Sequence, residues 1–251
     1  MLNGMMLIVI FVAFGVAISI AGAGPGTRLG LWEYGTGIAI IRNLYFPSIL
    51  IAIITFLAFV VSLFGANRLR VLLFFAAAVV SGAAIVPYMF EHRLAANPFI
   101  HDITTDFEAP PQITAAANLH RKNPAAYDGA APVPKSDLTV AEAQRSAFPD
   151  IKPVFVSINV DDTARKSRDI INLMKMEVLS ESTIGSTITI EATYKSRWFG
   201  FIDDFIVRIQ PNGDKVRVDI RSKSRVGVSD LGANAQRVRN FVDKLVKEVP
   251  S

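Results

Sequence analysis

Three uncharged apolar runs fill most of the first ninety residues and dictate what that part of the chain can become. Residues 5–23, 47–64 and 71–90 are each about 18 to 20 residues long, and at about 1.5 Å of helical rise per residue each reaches across a hydrocarbon core about 30 Å thick. A backbone inside lipid must satisfy its own polar groups, which a lone segment does only as a helix, so three membrane-spanning helices are expected. Ala21-Gly-Ala23 resembles a small-residue cleavage site, but no basic residue precedes the first run and the run is longer than an export signal's core. It reads as an uncleaved anchor.

Charge divides the chain at the same place. Up to residue 90 the charged side chains are Arg28, Arg42, Arg68, Arg70 and Glu33, and nearly all others follow. The net charge of +4 and pI near 9.4 invite a nucleic-acid reading, but the later basic residues are interleaved with acids instead of forming a run, so no nucleic-acid partner is expected. No cysteine is present, which excludes disulfides, thiol catalysis and thiolate metal sites.

Orientation follows from the connections. The short turn 65–70 carries Arg68 and Arg70 with no acid, whereas 24–46 carries Arg28 and Arg42 diluted by Glu33. Positively charged short loops stay cytoplasmic, so the second and third spans form a hairpin with that turn inside, and everything after residue 90 emerges outside. In a bacterium with two membranes this is an inner-membrane protein with a periplasmic domain. Ala13, Ala17 and Ala21, with the pairs Ala58/Ser62 and Ala78/Gly82, offer narrow seams for helix packing, although small residues are common in membrane helices anyway. Residues 29–42 are apolar but broken by glycines. Trp32 and Tyr34 suit the headgroup level there. A second interfacial candidate is Lys195-Ser-Arg-Trp-Phe-Gly-Phe201, where Trp198 and Phe199 dip into an anionic surface unless Trp198 and Phe201 simply pack in the core.

The expected division is a transmembrane anchor over 1–92, a Pro/Ala-rich linker or strap over 93–152, and an α+β core over 153–251. The middle segment loses periodicity around Ala-Pro-Pro, Asn-Pro and Ala-Pro-Val-Pro, with one short helix at 138–146. After Pro153 a strand at 154–158 and a helix at 161–176 follow, the latter capped by Asp161 or Asp162. Thr187–Tyr194 alternates strictly, Phe201–Ile209 and Val216–Ile220 continue the pattern around the turn Pro211-Asn-Gly-Asp214, and a helix at 231–247 capped by Ser229 or Asp230 closes the chain. The fold class is α+β: three transmembrane helices, then a two-layer soluble domain with an antiparallel sheet covered by helices on its apolar face.

Three stretches, Asn97-Pro-Phe-Ile-His-Asp-Ile-Thr-Thr-Asp106, Trp198-Phe-Gly-Phe-Ile-Asp-Asp204 and the segment from Val218 to Arg237, resemble the signature stretches of DUF1499, a bacterial and plastid family of no established function. The resemblance covers residues 97–246. It implies a domain often found behind membrane helices or export signals, with no activity, cofactor or catalytic residue to transfer.

The densest polar segment gathers Asp219, Arg221, Ser222, Ser224, Arg225, Asp230, Asn234 and Arg237 around two glycines before a helix, a pattern able to hold an anion through amide groups and guanidinium forks. The plainer alternative is that Ser229 or Asp230 caps the helix while Arg221 and Arg225 pair with Asp203, Asp204 or Asp219. On the sheet's polar face Glu191, Asp204, Arg208, Arg217, Asp219 and Arg221 alternate outward, as on an ordinary solvated face, and His101, Asp102 and Asp106 join it if the strap folds back over it. Together with Asp203 and Asp204 they offer, at most, metal ligands or an acid/base pair, but no HExxH, GxSxG or Walker spacing is present. No metal or other cofactor is expected. The sequence therefore favours a non-catalytic envelope protein that binds an anionic ligand, a lipid headgroup or an envelope partner. A metal-assisted hydrolase and a structural subunit of a membrane complex stand as alternatives.

Overall fold

The computed structural model describes residues 2–64 and 68–249; residues 65–67, in the middle of the basic turn, lie outside it. The chain forms two compact units. One holds the helices through Ala95 together with Arg197–Gly200, and the other holds Ala96–Ser196 and the described residues from Phe201 onward.

The first unit contains α1 (Leu2–Arg28), α2 (Tyr34–Asn43), α3 (Tyr45–Ser62) and most of α4 (Arg70–Ala96). Three of these are long and apolar enough to cross a membrane, and α1 and α4 run a turn or more beyond the expected spans. Their inward stripes recur at helical spacing: Met6, Ile10 and Ala13 of α1 pack with Leu73, Ala76 and Val80 of α4. Outward stand large apolar side chains such as Phe11, Ile18, Phe56 and Phe75. On α3, the buried Ser48, Thr55 and Ser62 donate their hydroxyl protons to the Tyr45, Ile51 and Phe59 carbonyls, so none enters the packing unsatisfied. Ala13 and Ala17 do lie in the buried seam, whereas Ala21, Ala78 and Gly82 do not. The glycine-broken segment forms the regular helix α2.

The second unit is built on one antiparallel sheet of β1 (Asp102–Thr104), β2 (Val154–Val156), β3 (Glu177–Ile184), β4 (Thr187–Lys195), β5 (Ile202–Asn212) and β6 (Lys215–Ser224). The order is β1-β6-β5-β4-β3, and β2 shares the outer edge of β6 with β1. Pairing of Thr104 with Arg221 and of Val154 with Val218 places the two short strands end to end along that edge. Gly213, at φ 63, supplies the left-handed residue of the β5–β6 turn.

One sheet face carries Ile188, Ile190, Phe205, Val207, Ile209, Val218 and Ile220, all buried under helices α6 (Val160–Leu173) and α7 (Ala233–Glu248). Phe205 meets Phe241 of α7 with ring centroids 5.3 Å apart. Helix α5 (Val140–Ala147) begins with a capping box between Thr139 and Glu142, and its Gln144 is fully buried. That amide donates to the Thr104 carbonyl at 2.6 Å and accepts from the Thr104 N–H at 3.1 Å, pairing with edge strand β1 as a neighbouring strand would.

Several local expectations are corrected. Helix α6 is capped by Asn159, whose side chain accepts from the Asp162 N–H, because the chain turns helical two residues earlier than Asp161 would need. Helix α7 starts at Ala233 behind Gly232 in the left-handed region, not at Leu231. Strand β1 lies in the stretch lacking periodicity, where three residues are too few to show alternation.

Candidate functional site

Period-two alternation splits the polar segment between two faces. On β6, Ser222 and Ser224 follow Val218 and Ile220 toward the helices, while Arg217, Asp219, Arg221 and Lys223, and Arg225 just past the strand's end, point the other way. On β5, Asp203 shares the helix face with Phe205, and Asp204 and Arg208 share the opposite face. The candidate residues therefore fall into two networks with the sheet between them.

The far face is roofed by residues 105–127, which act as a strap. Glu191 of β4 fixes the strap's middle by accepting from the amides of Thr114 and Ala115 at 3.0 Å, and from the Thr114 hydroxyl. Ile113, Ala116 and Ile206 form a small apolar plug beside it. The amides of Lys122 and Asn123 donate to the Arg225 carbonyl at 2.9 Å, and the Asn123 side chain donates to the carbonyls of Ser224 and Gly227.

Beneath the strap each aspartate is held by two cations. Asp102 takes a two-pronged contact from Arg221 at 2.9 and 2.8 Å and another from Lys223 at 2.8 Å. The same two cations reach up to strap carbonyls of Pro111, Ala125 and Ala126. Asp204 binds Arg225 at 2.7 Å and the strap's Arg121 at 3.1 Å. Asp106 and Asp219 are bridged by Arg208 and Arg217 at 2.8 to 2.9 Å. Burial pushes the Asp106 carboxyl up, but the amides of Ala109 and Glu108 and the two arginines outweigh it and hold it below the usual range. Burial lowers the Lys223 ammonium against the pull of Asp102. Burial also raises the Tyr127 phenol to about 12, with Asp102 adding to the shift, and Arg221 lies 5.4 Å from its ring.

On the helix face, Arg237 donates to Asp203 at 2.7 Å, to the Ser222 hydroxyl at 2.9 Å and to Asn234, and stacks 4.5 Å from the Tyr194 ring. Asn234 donates to the Ser224 hydroxyl and the His101 carbonyl, tying β1, β6 and α7 together. Asp230 accepts from the amides of Gly232 and Asn234 at 2.8 and 2.9 Å, so its own carboxylate fills the amide nest where an external anion was expected. Desolvation raises that carboxyl to about 6, with Asp203 contributing and the amide bonds opposing. Burial, then Lys223, lowers the His101 imidazole, against Asp102 and Asp203.

Of the candidates, Asp102, Asp106, Asp203, Asp204, Asp219, Arg221, Arg225 and Arg237 are thus brought together as internal ion pairs. Asp102 meets Arg221 and Asp204 meets Arg225, the latter as the pairing alternative expects. Among the described residues, no group of three or more His, Asp or Glu side chains is placed to hold a metal ion. Arg121, Lys223 and Gln144 give no signal of their own in the sequence. A lone arginine in a Pro/Ala-rich stretch has no period to follow, and only the fold brings it to Asp204.

The interfacial candidates Trp32, Tyr34, Trp198 and Phe199 all belong to the helical unit. Trp32 donates its indole N–H to the Ala23 carbonyl at 3.1 Å, and Trp198 donates to Ala21 at 3.2 Å. Phe199 is buried, its ring 4.9 Å from that of Trp198. Gly24 and Gly26 make this possible. A Cβ on Gly24 would lie 2.6 Å from the Trp198 ring, and one on Gly26 would collide with that of Trp32. The small-residue run 21–26 is thus a seat for two tryptophans.

Comparison with known families is decisive on one point. The profile of DUF1499, described as a protein of unknown function, matches residues 102–245, more than half of the chain. This chain belongs to the DUF1499 family. The match opens on Asp102 in β1 and closes within α7, so the DUF1499 domain includes the strap, the sheet and both ion-pair networks. No curated protein matches the chain. Among solved structures, the vertebrate conserved region of human METTL16 aligns with a TM-score of 0.27 and 11% identity, over 41% of this chain and 86% of that one. That score is too low to speak for a shared fold.

Proposed function

We propose that this DUF1499 protein is a multi-pass inner-membrane protein, with its family domain on the periplasmic side, that works without catalysis by engaging an anionic ligand, a lipid headgroup or an envelope partner at the membrane surface. One observation carries the reading: the turn Arg197–Gly200, between two strands of the DUF1499 domain, belongs to the helical unit and bonds α1 there through Trp198. Aromatic side chains with a polar handle at the end of a membrane span mark the headgroup level. The ion-pair networks support a scaffolding role for the polar residues of the domain, since each aspartate beneath the strap is neutralised by its own arginines or lysine.

The test is stabilisation. The full chain, reconstituted in nanodiscs of neutral lipid, should unfold at a higher temperature when anionic lipid, inorganic phosphate or an acidic envelope component is supplied. If none of the three shifts the transition, the reading is wrong.

A further inference from the structure

We propose that Arg28 and Arg197, flanked by Trp32 and Trp198, form a binding site for the phosphate of an anionic lipid headgroup. The proposal rests on the reading above and names its ligand and its place.

Arg28 is the last residue of α1, the end of a candidate span, where a bilayer places its phosphates. Its Nη1 donates to the Arg197 carbonyl, which brings two exposed arginines from distant parts of the sequence to one spot. Among the described residues, neither guanidinium meets a carboxylate. Arg42 differs, being paired with Glu91 at 3.3 Å. The bond from Nη1 holds the Arg28 guanidinium at the Arg197 backbone, so two cationic residues without a carboxylate partner among the described residues share one spot, and a phosphate suits the forked donors that guanidiniums carry.

The surroundings fit the same ligand. Both indole N–H groups are spent on α1 carbonyls, and both rings, packed on the glycines of α1, are only half-buried, which leaves apolar ring surface suited to the glycerol and acyl region beside a phosphate. No side chain caps the N-terminus of α2, the helix that begins two residues after Trp32. Glu33 is the one acid in that loop.

The experiment uses the full chain in nanodiscs of phosphatidylcholine containing a minority of phosphatidylglycerol, with retained lipid read by mass spectrometry after detergent extraction. Wild type should retain phosphatidylglycerol above its bulk share. R28Q/R197Q should lose that enrichment, with phosphatidylglycerol held about tenfold more weakly, a ratio equal to ~1.4 kcal/mol. R197Q alone, which leaves the backbone bond from Arg28 intact, should lose part of it. R165Q, removing an exposed charge from α6, should retain the full enrichment.

Enrichment by R28Q/R197Q equal to wild type overturns the site. Displacement of the lipid by inorganic phosphate at millimolar concentration also overturns it, assigning the arginines to a soluble phosphate ligand. If wild type enriches no anionic lipid but is still stabilised by soluble phosphate or an acidic partner, this site falls and the broader reading stands. If no anionic species acts on it at all, both fall.

Discussion

Trp198 donates its indole N–H to the carbonyl of Ala21, the oxygen that Pro25 leaves without a helical donor. A residue four positions on normally supplies that bond, and proline has no N–H to give. In lipid an empty carbonyl is costly, so the tryptophan from a turn 177 residues away completes the helix.

The relationship predicts a coupling. W198F should destabilise the chain by about 1 kcal/mol through the lost hydrogen bond. In a P25A background, where the substituted residue supplies the missing amide, the same change should cost measurably less. Equilibrium unfolding of the four variants in detergent gives the cycle, and equal costs in both backgrounds would remove the bond from the account.

Asp102 predicts a larger effect. Its carboxylate faces Arg221, whose side chain is fully buried, and Lys223, so D102N leaves two cations against a neutral amide. Breaking a buried pair from one side costs about 3 to 5 kcal/mol, whereas the half-exposed pair of Arg168 and Glu181 is worth below about 1 kcal/mol. Denaturant unfolding of D102N and E181Q should differ by that margin. Comparable losses would show the strap-side network to be less dry than its burial implies.

How much of this is legible in the sequence depends on locality. The membrane helices and the alternating strands announce themselves through period, which turns Phe205, Val207, Ile209, Val218 and Ile220 inward just as the fold has them. The same alternation, applied to the candidate site, already separates Asp203 and Ser222 from Asp204 and Arg221. What it does not reveal is the roof. Glu191 and Arg208 look like solvated charges until Thr114 and Ala109 are brought over them, and those contacts span 77 and 99 residues. The seat at Gly24 is equally silent, since a glycine before a proline reads as a helix end and not as room for a distant ring.

Asp230 predicts a pH dependence. Its folded carboxyl titrates near 6 and its unfolded one near 3.8, so the folded state binds the extra proton between those values. The contribution of Asp230 to stability should therefore fall as pH rises from about 4 to 6, by up to roughly 3 kcal/mol, and then level off. His101 acts in the opposite sense, because its lowered imidazole favours the neutral form and its contribution is lost as pH falls below 6.5. The D230N variant should steepen the loss of stability toward acid by removing the opposing slope, as read from denaturant midpoints across about pH 4 to 7. An unchanged profile would mean that the amides of Gly232 and Asn234 hold the carboxylate ionised throughout.

Orientation turns on the arginines, because α4 continues to Ala96 and brings Arg93 to the same side as Arg28 and Arg42, against Arg68 before α4 and Arg70 at its start. What favours the turn as the inner side is its shortness and freedom from acids, since compact loops rich in arginine are the ones retained in the cytoplasm. The cysteine-free sequence makes the test direct. Asp214→Cys in the β5–β6 turn and Phe64→Cys beside the α3 end, each the sole thiol of its variant, replace residues that the fold itself leaves exposed. A membrane-impermeant maleimide on intact cells with a permeabilised outer membrane should label D214C and spare F64C. Charge reversal by R68E/R70E should then scramble or invert that pattern if those two arginines set it. Labelling of F64C with protection of D214C would place the DUF1499 domain in the cytoplasm, and the proposed lipid site would then face the inner leaflet.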